Sequence, residues 1–162
     1  MSLVAVAIGS NLGDREAHLE FARFRLRALL SGARASSSYE TPPEGVEGPQ
    51  ANFLNAAVVG ETTLSARSVL EALRAIEEER GRERPFAHAA RTLDLDLILL
   101  GDQIVQEPGL VVPHPRFRER RFVLEPLAEI APGLCDPVSR KSIGELLVDL
   151  TRSRPDREAR RP

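Results

Sequence analysis

One stretch of the chain decides the fold, and it reads Arg91-Thr92-Leu93-Asp94-Leu95-Asp96-Leu97-Ile98-Leu99-Leu100. The alternation of leucine with other residues predicts a β-strand, in which successive side chains point to opposite faces of the sheet. Asp94 and Asp96 therefore share one face, and the leucines between them face the core. Charges in a buried strand are costly unless something pairs with them, and a divalent cation is a common partner. Two interpretations stay open here: a Mg2+ site with Arg91 added for phosphate, or acidic residues at a strand end that face solvent.

Length and composition describe an ordinary globular domain. The 162 residues are 42% hydrophobic and 28% charged, so the chain fits one domain with a sizeable core. No apolar run approaches the roughly 18 residues that a membrane span needs, and the N-terminus lacks the basic region and cleavage site of a signal peptide. Cys135 is the single cysteine, which excludes an intrachain disulfide and favours a reducing compartment. We therefore expect a cytoplasmic protein without membrane contact.

Charge is distributed unevenly along the chain. The net charge of −2 argues against a general nucleic-acid-binding protein. Residues 151–162 carry five Arg against one Asp and one Glu, a net of +3, and subtraction leaves −5 for residues 1–150. Within this acidic body lie two arginine clusters, made of Arg80, Arg82, Arg84 and Arg91, and of Arg116, Arg118, Arg120 and Arg121. They suit a local polyanion such as a triphosphate, or else they belong to two solvated loops.

Hydrophobic periodicity predicts alternating strands and helices. The predicted elements are strands at 3–8, 35–40 and 53–62, helices at 15–30 and 65–81, the Asp94/Asp96 strand, a hairpin at Gly101-Asp102 leading into 103–105, a strand at 111–112, and helices at 124–130 and 143–150. The order β-α-β-β-α-β is that of a ferredoxin-like α+β sandwich, in which helices cover one face of a central antiparallel sheet. We expect a single domain over 1–150 and a basic, disordered tail over 151–162. Loops at 41–51 and 80–91 are interpreted as lids over a substrate.

Two common phosphate-binding motifs, G-x-x-x-x-G-K-[ST] and G-x-G-x-x-G, are missing from the chain. Gly9-Ser10-Asn11-Leu12-Gly13 follows neither pattern and predicts a tight strand-to-helix turn, with Asp14 as the helix N-cap. His114 lies between Pro113 and Pro115, next to the second arginine cluster. It is either a stiffly held donor to phosphate or a histidine of a surface loop.

Phe53 and Asn55 lie two positions apart on a predicted strand and therefore share a face. An aromatic ring beside an amide suits a flat heterocycle, which needs stacking and hydrogen bonds along its edge. The alternative is that Phe53 belongs to the core and Asn55 caps a β-bulge. Spacing alone does not decide between the two.

Taken in order, the motifs resemble those of one enzyme family. G-S-N-L-G-D (9–14), Y-E-T-P-P (39–43), F-L-N-A (53–56), I-E…G-R-x-R (76–84), R-T-L-D-L-D-L-I-L (91–99) and V-P-H-P (112–115) are similar to those of 6-hydroxymethyl-7,8-dihydropterin pyrophosphokinase of folate biosynthesis. The resemblance covers about residues 3–150, and the ordered set is far more specific than any single motif. It implies a ferredoxin-like α+β sandwich and an enzyme that transfers pyrophosphate from ATP to the hydroxymethyl group of the pterin, releasing AMP.

The resemblance also implies roles for particular residues. Asp94 and Asp96 would bind two Mg2+ ions that bridge the ATP phosphates, and Arg82 and Arg91 would stabilise the migrating charge. The pterin would be sandwiched by Phe53 and Phe122 and bound along its edges by Thr41, Pro42, Pro43, Asn55 and the backbone as far as Val46. The nucleotide would be contacted by Glu77, Arg84, His114 and Arg120. The partners would be these small molecules, without nucleic acid or membrane, and the protein would be a monomer.

Some positions depart from the family pattern. Ala90 stands where proline is usual, His88 where an aromatic or amide is common, and Pro85 where some members carry a basic residue. We expect these changes to affect the lid and not the reaction class. Two other classes stay as alternatives: a sensor of the same fold that binds Mg-ATP without consuming it, and an RNA-binding domain of the RRM type. The latter needs exposed aromatics on a basic sheet, and the chain has no Trp and one Tyr.

Overall fold

A computed structural model describes residues 1–42, 52–81 and 92–153 of the chain. The elements, in chain order, are β1 (Ser2–Ser10), α1 (Arg15–Leu29), β2 (Ser31–Ala35), β3 (Tyr39–Thr41), β4 (Phe53–Thr62), α2 (Ala66–Gly81), β5 (Asp94–Leu100), β6 (Val105–Glu107), β7 (Leu110–Val112), a 3-10 turn (Phe117–Glu119), α3 (Arg121–Ile130) and α4 (Ile143–Ser153). Strand β4 has the predicted bounds. Asp14 is the N-cap of α1, as predicted, and its carboxylate accepts the Ala17 N–H at 3.1 Å. None of the helices in the described ranges has the length and apolar character that a membrane span requires.

The main sheet is antiparallel, with the strand order β2-β4-β1-β5 and with β3 pairing to β4. Strand β1 is central, since it pairs with β4 from Ser2 to Ser10 and with β5 from Val4 to Gly9. Short strands β6 and β7 form a separate two-stranded sheet. The order of β1, α1, β2, β4, α2 and β5 is that of the predicted ferredoxin-like α+β sandwich.

Helices cover both faces of the sheet, whereas the sequence predicted helices on one face. The face that includes Val6, Val58 and Leu97 packs against α1 and α2. The opposite face, which includes Ala5 and Ala57, packs against α3 and α4. Because both faces are buried, the apolar residues of β1 and β4 run consecutively instead of alternating with polar ones.

Serines interrupt the strand that was predicted over 35–40. Strand β2 ends at Ala35, so nearly all of it lies before the predicted range, and β3 begins only at Tyr39, after Ser36–Ser38. The Ser36 N–H donates to Ala57 O at 2.8 Å, and the Ser36 hydroxyl accepts the Ala57 N–H at 2.9 Å. A side-chain oxygen thus takes a place that a backbone carbonyl holds in a regular ladder, which is why the strand breaks.

The predicted hairpin at Gly101-Asp102 is wrong. Gly101 does form a turn, with φ of 55°, but its N–H donates to Leu3 O at 2.7 Å, so the turn stays against β1. The hairpin lies one strand later, between β6 and β7, where Gly109 has φ of 75°.

The two C-terminal helices are longer than predicted. Helix α3 begins at Arg121 instead of Leu124. Helix α4 continues through Ser153, so that residues 151–153, which the sequence assigned to the tail, are helical. The rest of that stretch lies outside the described residues.

Candidate active site

Gly9 forms the floor of the candidate site. In the register of the sheet it lies opposite Asn55 on β4 and opposite Asp94 on β5. A Cβ at Gly9 would lie 3.4 Å from Asn55 Oδ1 and 3.9 Å from Phe53 Cδ1, so any larger side chain would fill this space. Neighbouring strands are about 4.8 Å apart, which puts the Cα atoms of Asn55 and Asp94 about 10 Å from each other. The sequence placed Gly9 in a turn, whereas it belongs to β1.

Asp94 and Asp96 share the Gly9 face, as the strand period predicted. Asp96 lies opposite Ala7 in the register, and the alternate residues are buried in the core under α1 and α2: Leu93, Leu95 and Leu97. Asp96 is exposed and Asp94 is half-buried, as carboxylates at a strand end that face solvent would be. They lie at the start of β5, before the part of the strand that α3 and α4 cover. The metal interpretation therefore depends on the neighbours of the two carboxylates and not on their burial.

The donor set fits a hard cation that shares its coordination with a phosphate ligand. Two carboxylates supply oxygen ligands of the kind that Mg2+ takes, and Mg2+ usually completes its shell with waters and substrate phosphates. Within 1–42, 52–81 and 92–153, no group of three or more His, Cys, Asp or Glu side chains could hold a metal. The described residues thus offer a partial site that phosphate oxygens would complete.

His114 lies beside β5 and the second arginine cluster. Its backbone N–H donates to Ile98 O at 2.9 Å, and its Nδ1 accepts the Arg116 N–H at 3.1 Å. Burial lowers the pKa of His114, the Asp96 charge opposes this, and the Arg120 and Arg116 charges lower the pKa further. The neutral ring carries its proton on Nε2, since Nδ1 is an acceptor. His114 is therefore suited to donate to a phosphate oxygen.

The second arginine cluster divides according to its partners. Arg118 binds Asp136 through Nε at 2.5 Å and Nη2 at 2.9 Å. Arg121 donates to Thr151 Oγ1 at 2.7 Å. Both arginines are thus engaged with groups of the fold on the α4 side, and we do not assign them to the nucleotide.

Arg116 and Arg120 are the members of the cluster whose charges act on His114. The Arg120 guanidinium lies over the Phe122 ring, 5.6 Å from its centroid. Phe122 is in the first turn of α3 and packs, partly buried, against the core on that face. The arrangement brings a predicted nucleotide contact next to a predicted pterin contact.

Thr41, Phe53 and Asn55 come together at the β3–β4 edge of the site. The buried Asn55 donates Nδ2–H to Thr41 Oγ1 at 2.7 Å. Thr41 lies opposite Phe53 without a register shift, and Phe53 is half-buried and outside both buried cores. These contacts favour the heterocycle-edge interpretation over a core phenylalanine and a bulge cap. Pro42, the next residue along, is exposed.

Glu77 caps the outer edge of β5. Its Oε2 accepts the Leu95 N–H at 2.7 Å, and β5 lies at the end of the strand order. An edge N–H that no strand pairs needs another acceptor. Glu77, predicted to contact the nucleotide, therefore also stabilises the strand that carries Asp94 and Asp96.

The described residues do not include four of the predicted site residues: Pro43, Arg82, Arg84 and Arg91. Arg80, of the same cluster, donates Nε–H to His18 Nδ1 at 2.8 Å and lies over the Phe21 ring, 5.0 Å from its centroid. Burial and the Arg80 charge lower the pKa of His18, so the ring is neutral and accepts this bond. Arg80 thus joins α2 to α1.

Two residues that shape the site were not singled out from sequence. Gly9 could have been found from the sequence, because it continues the series of small residues at every second position of β1, after Ala5 and Ala7. No local sequence pattern indicates the role of Asp136, because its partner Arg118 is 18 residues away. A separate groove of about 530 Å3, between the Pro132-Gly133 turn and α4, shares no residue with the predicted site.

Sequence comparisons identify relatives along most of the chain. A model of the family described as 7,8-dihydro-6-hydroxymethylpterin-pyrophosphokinase (HPPK) matches residues 5–132. The 2-amino-4-hydroxy-6-hydroxymethyldihydropteridine pyrophosphokinase of Bacillus subtilis (strain 168) is 42% identical over 143 residues, covering 87% of this chain and 83% of the relative. The protein of the same name from Aquifex aeolicus (strain VF5) is 34% identical over 145 residues, covering 90% of each chain.

Solved structures share the fold at low sequence identity. A structure described as HPPK-DHPS in complex with substrates superposes with a TM-score of 0.75 at 13% identity, and covers 98% of this chain. Plasmodium falciparum HPPK-DHPS superposes with a TM-score of 0.75 at 15% identity, and covers 96%. The chain spans 45% and 46% of those two chains, so the likeness concerns the fold of one part of them. The sequence relatives confirm the resemblance seen in the motifs: this chain belongs to the 7,8-dihydro-6-hydroxymethylpterin-pyrophosphokinase family.

Proposed function

We propose that this protein transfers a pyrophosphoryl group from ATP to the hydroxymethyl group of 6-hydroxymethyl-7,8-dihydropterin and releases AMP, in folate biosynthesis. Membership of the pyrophosphokinase family supports the reaction. The strand register at Gly9 is the observation that supports placing this reaction at the candidate site. It puts the Asn55 amide on one side of Gly9 and the Asp94 carboxylate on the other.

The pterin would lie at the Asn55 side of the floor. The Asn55–Thr41 pair offers polar atoms for the edge of the ring, and Phe53 and Phe122 offer aromatic faces. A site built around polar groups that must be satisfied rejects ligands that leave them unpaired. We therefore expect the site to bind a heterocycle whose edge has hydrogen-bonding groups that complement those of Asn55 and Thr41.

The ATP phosphates would lie at the β5 side of the floor. Asp94 and Asp96 would hold Mg2+, with two ions as the resemblance implies, and the bound metal would neutralise phosphate charge. Neutral His114 would donate from Nε2, and Arg120 would donate from its guanidinium. By the resemblance, Arg82, Arg84 and Arg91 would add further positive charge.

Transfer of this kind depends on positioning and charge neutralisation more than on covalent catalysis by a side chain. The pterin hydroxyl oxygen forms a bond to the β-phosphorus, and the bond from that phosphorus to the α–β bridging oxygen breaks. AMP leaves with the bridging oxygen, and the hydroxyl proton goes to solvent. The side chains at the floor bring the two substrates into line for this exchange.

Product analysis of the purified protein tests the proposal. The protein is incubated with Mg-ATP, with and without 6-hydroxymethyl-7,8-dihydropterin, and also with ATP and the pterin in EDTA. We expect AMP and the pterin pyrophosphate together, in equal amounts, only when both substrates and Mg2+ are present. ATP binding without AMP formation would instead identify a sensor. The arrangement of the helices argues against the RRM-type alternative, since α3 and α4 cover the face of the sheet that such a domain would leave bare.

The proposed setting is the cytoplasm, because the single cysteine suits a reducing compartment. The proposed partners are the two small-molecule substrates, bound by a monomer without nucleic acid. Light scattering coupled to gel filtration measures the oligomeric state directly, and a dimer mass would refute the monomer.

A further inference from the structure

A link of three serines joins β2 to β3 and is held from one side by α1. The buried Arg23, 5% exposed, donates from Nη2 to Ser36 O at 3.1 Å and to Ser38 Oγ at 2.9 Å. Its Nη1 donates to Glu20 Oε1 at 2.5 Å. The link is therefore anchored before β3 begins.

Glu129, near the C-terminal end of α3, holds the same link from the opposite face. Its Oε1 accepts the Ser37 hydroxyl at 2.7 Å and the Tyr39 hydroxyl at 2.6 Å, and both carboxylate oxygens accept the Ser37 N–H, at 3.2 and 3.1 Å. Hydrogen bonds from Tyr39 and Ser37 lower the pKa of Glu129. Burial and the hydrogen bond to Glu129 raise the pKa of Tyr39. At neutral pH the pair is thus a phenol that donates to a carboxylate, which is a strong type of hydrogen bond.

The hydrogen bonds of Glu129 join the two sides of the proposed pterin site, which are β3 with β4 on one side and the first turn of α3 on the other. Tyr39 lies opposite Asn55 in the β3–β4 register, and Thr41, on the same face of β3, accepts the hydrogen bond from Asn55. Phe122 is in the first turn of the same helix that carries Glu129. The two residues are about 10 Å apart along α3, with Pro126 between them.

We infer that Glu129 is a positioning residue for the pterin, which sets the distance between Phe122 on α3 and the Thr41–Asn55 pair on β3 and β4. This inference rests on the proposed function. Glu129 need not touch the substrate, since it acts through Tyr39 and Ser37. A slot for a stacked ring tolerates little change in width, because small misplacements of binding groups are costly.

Removal of the carboxylate should affect one substrate selectively. We expect Glu129→Ala to raise the KM for the pterin about 3- to 10-fold. We expect kcat at saturating pterin and the KM for ATP to stay within about twofold of wild type, because the β5 side of the floor is untouched. Tyr39→Phe should act in the same direction but less, and Glu129→Gln, which keeps an oxygen acceptor, should recover most of the loss.

Glu145→Ala is the matched control. Glu145 is also an exposed helix carboxylate that binds a serine N–H, that of Ser142 at 2.9 Å, but it lies at the start of α4. Its removal should lower thermal stability without a change in the KM for the pterin.

The outcomes separate this inference from the proposed function. A wild-type protein that forms no AMP with both substrates refutes the proposed function. An active wild type together with an unchanged pterin KM in Glu129→Ala overturns the positioning role alone. An equal rise in the KM of both substrates, or the same rise in Glu145→Ala, also overturns it, since each indicates a general loss of structure.

Discussion

Arg118 and Asp136 form a bidentate ion pair that holds the turn before α3 against the turn before α4. Arg118 Nε and Nη2 lie 2.5 and 2.9 Å from the two carboxylate oxygens, and the Asp136 side chain is fully buried. The same carboxylate accepts the Ser139 hydroxyl at 2.7 Å and the Val138 N–H at 3.1 Å. The pair therefore supports the segment that carries Arg120 into the site.

Asp136→Asn should destabilise the protein by about 2 kcal/mol at neutral pH, because it removes a charged acceptor from a buried pair. Burial alone would raise the pKa of Asp136, but the bonds from Arg118, Ser139 and Val138 outweigh burial and lower the pKa from 3.8 to about 2. A lowered folded pKa gives stability that is present above 3.8 and is lost as the pH falls towards 2. The difference between wild type and variant should therefore shrink over that range, as measured by urea unfolding at a series of pH values.

Asp149→Asn provides the comparison for an exposed pair. Asp149 binds Lys141 Nζ at 2.6 Å, with both side chains about half exposed. Its loss should destabilise the protein much less than Asp136→Asn does, because solvent screens an exposed pair. Equal effects of the two variants would contradict the structural role of the buried pair.

Gly9→Val should block pterin binding while the fold is kept. Valine suits a strand, but its side chain would enter the space beside Asn55 Oδ1, which is 3.4 Å from the first added carbon. We expect pterin affinity to fall more than about tenfold, with a smaller loss for Gly9→Ala. Calorimetric titration with the pterin, beside thermal unfolding, measures both effects. Gly133→Val is the control, since a Cβ there meets nothing within 4 Å, and wild-type pterin affinity in Gly9→Val would show that the floor lies elsewhere.

Asp96→Ala should lower AMP formation more than about 100-fold at saturating substrates, because it removes a proposed metal ligand. Asp96 is exposed, so thermal stability should stay close to wild type. The rate is measured over a titration with Mg2+, with Asp102→Ala, an exposed carboxylate in the turn after β5, as the control. Near-normal turnover of Asp96→Ala at ordinary Mg2+ would remove this residue from the metal site.

Phe122→Ala should weaken pterin binding about tenfold through loss of an aromatic face. The KM for ATP should change little, because Asp96 and His114, the proposed phosphate-side residues, remain at β5. Steady-state kinetics with each substrate varied in turn gives the two constants. Phe24→Ala, at a ring that is 71% exposed on α1, should change neither, and an unchanged KM for the pterin in Phe122→Ala would place the ring outside the pterin site.

Local patterns were enough to predict much of the fold. The bounds of β4, the N-cap of α1 and the shared face of Asp94 and Asp96 all follow from interactions within a few residues. The break at Ser36–Ser38 was missed, because it depends on the bond between the Ser36 hydroxyl and Ala57 on the distant strand β4. Arg23 and Glu129 hold the serines from two further elements. The shift of the hairpin to β6 and β7 was missed for a similar reason, since Gly101 is held by Leu3, which is far away along the chain but adjacent in the fold.

For the candidate site, the sequence by itself determined which residue types are available and which of them share a strand face, because side-chain alternation is a property of the strand alone. Only the tertiary structure showed which members of the second arginine cluster are bound by other side chains of the fold. Arg118 and Arg121 are withdrawn by Asp136 and Thr151, at separations of 18 and 30 residues, and Arg120 is left beside Phe122. The spacing of the arginines along the chain does not predict these partners, since they depend on which distant groups the packing of α3 and α4 brings within hydrogen-bonding distance.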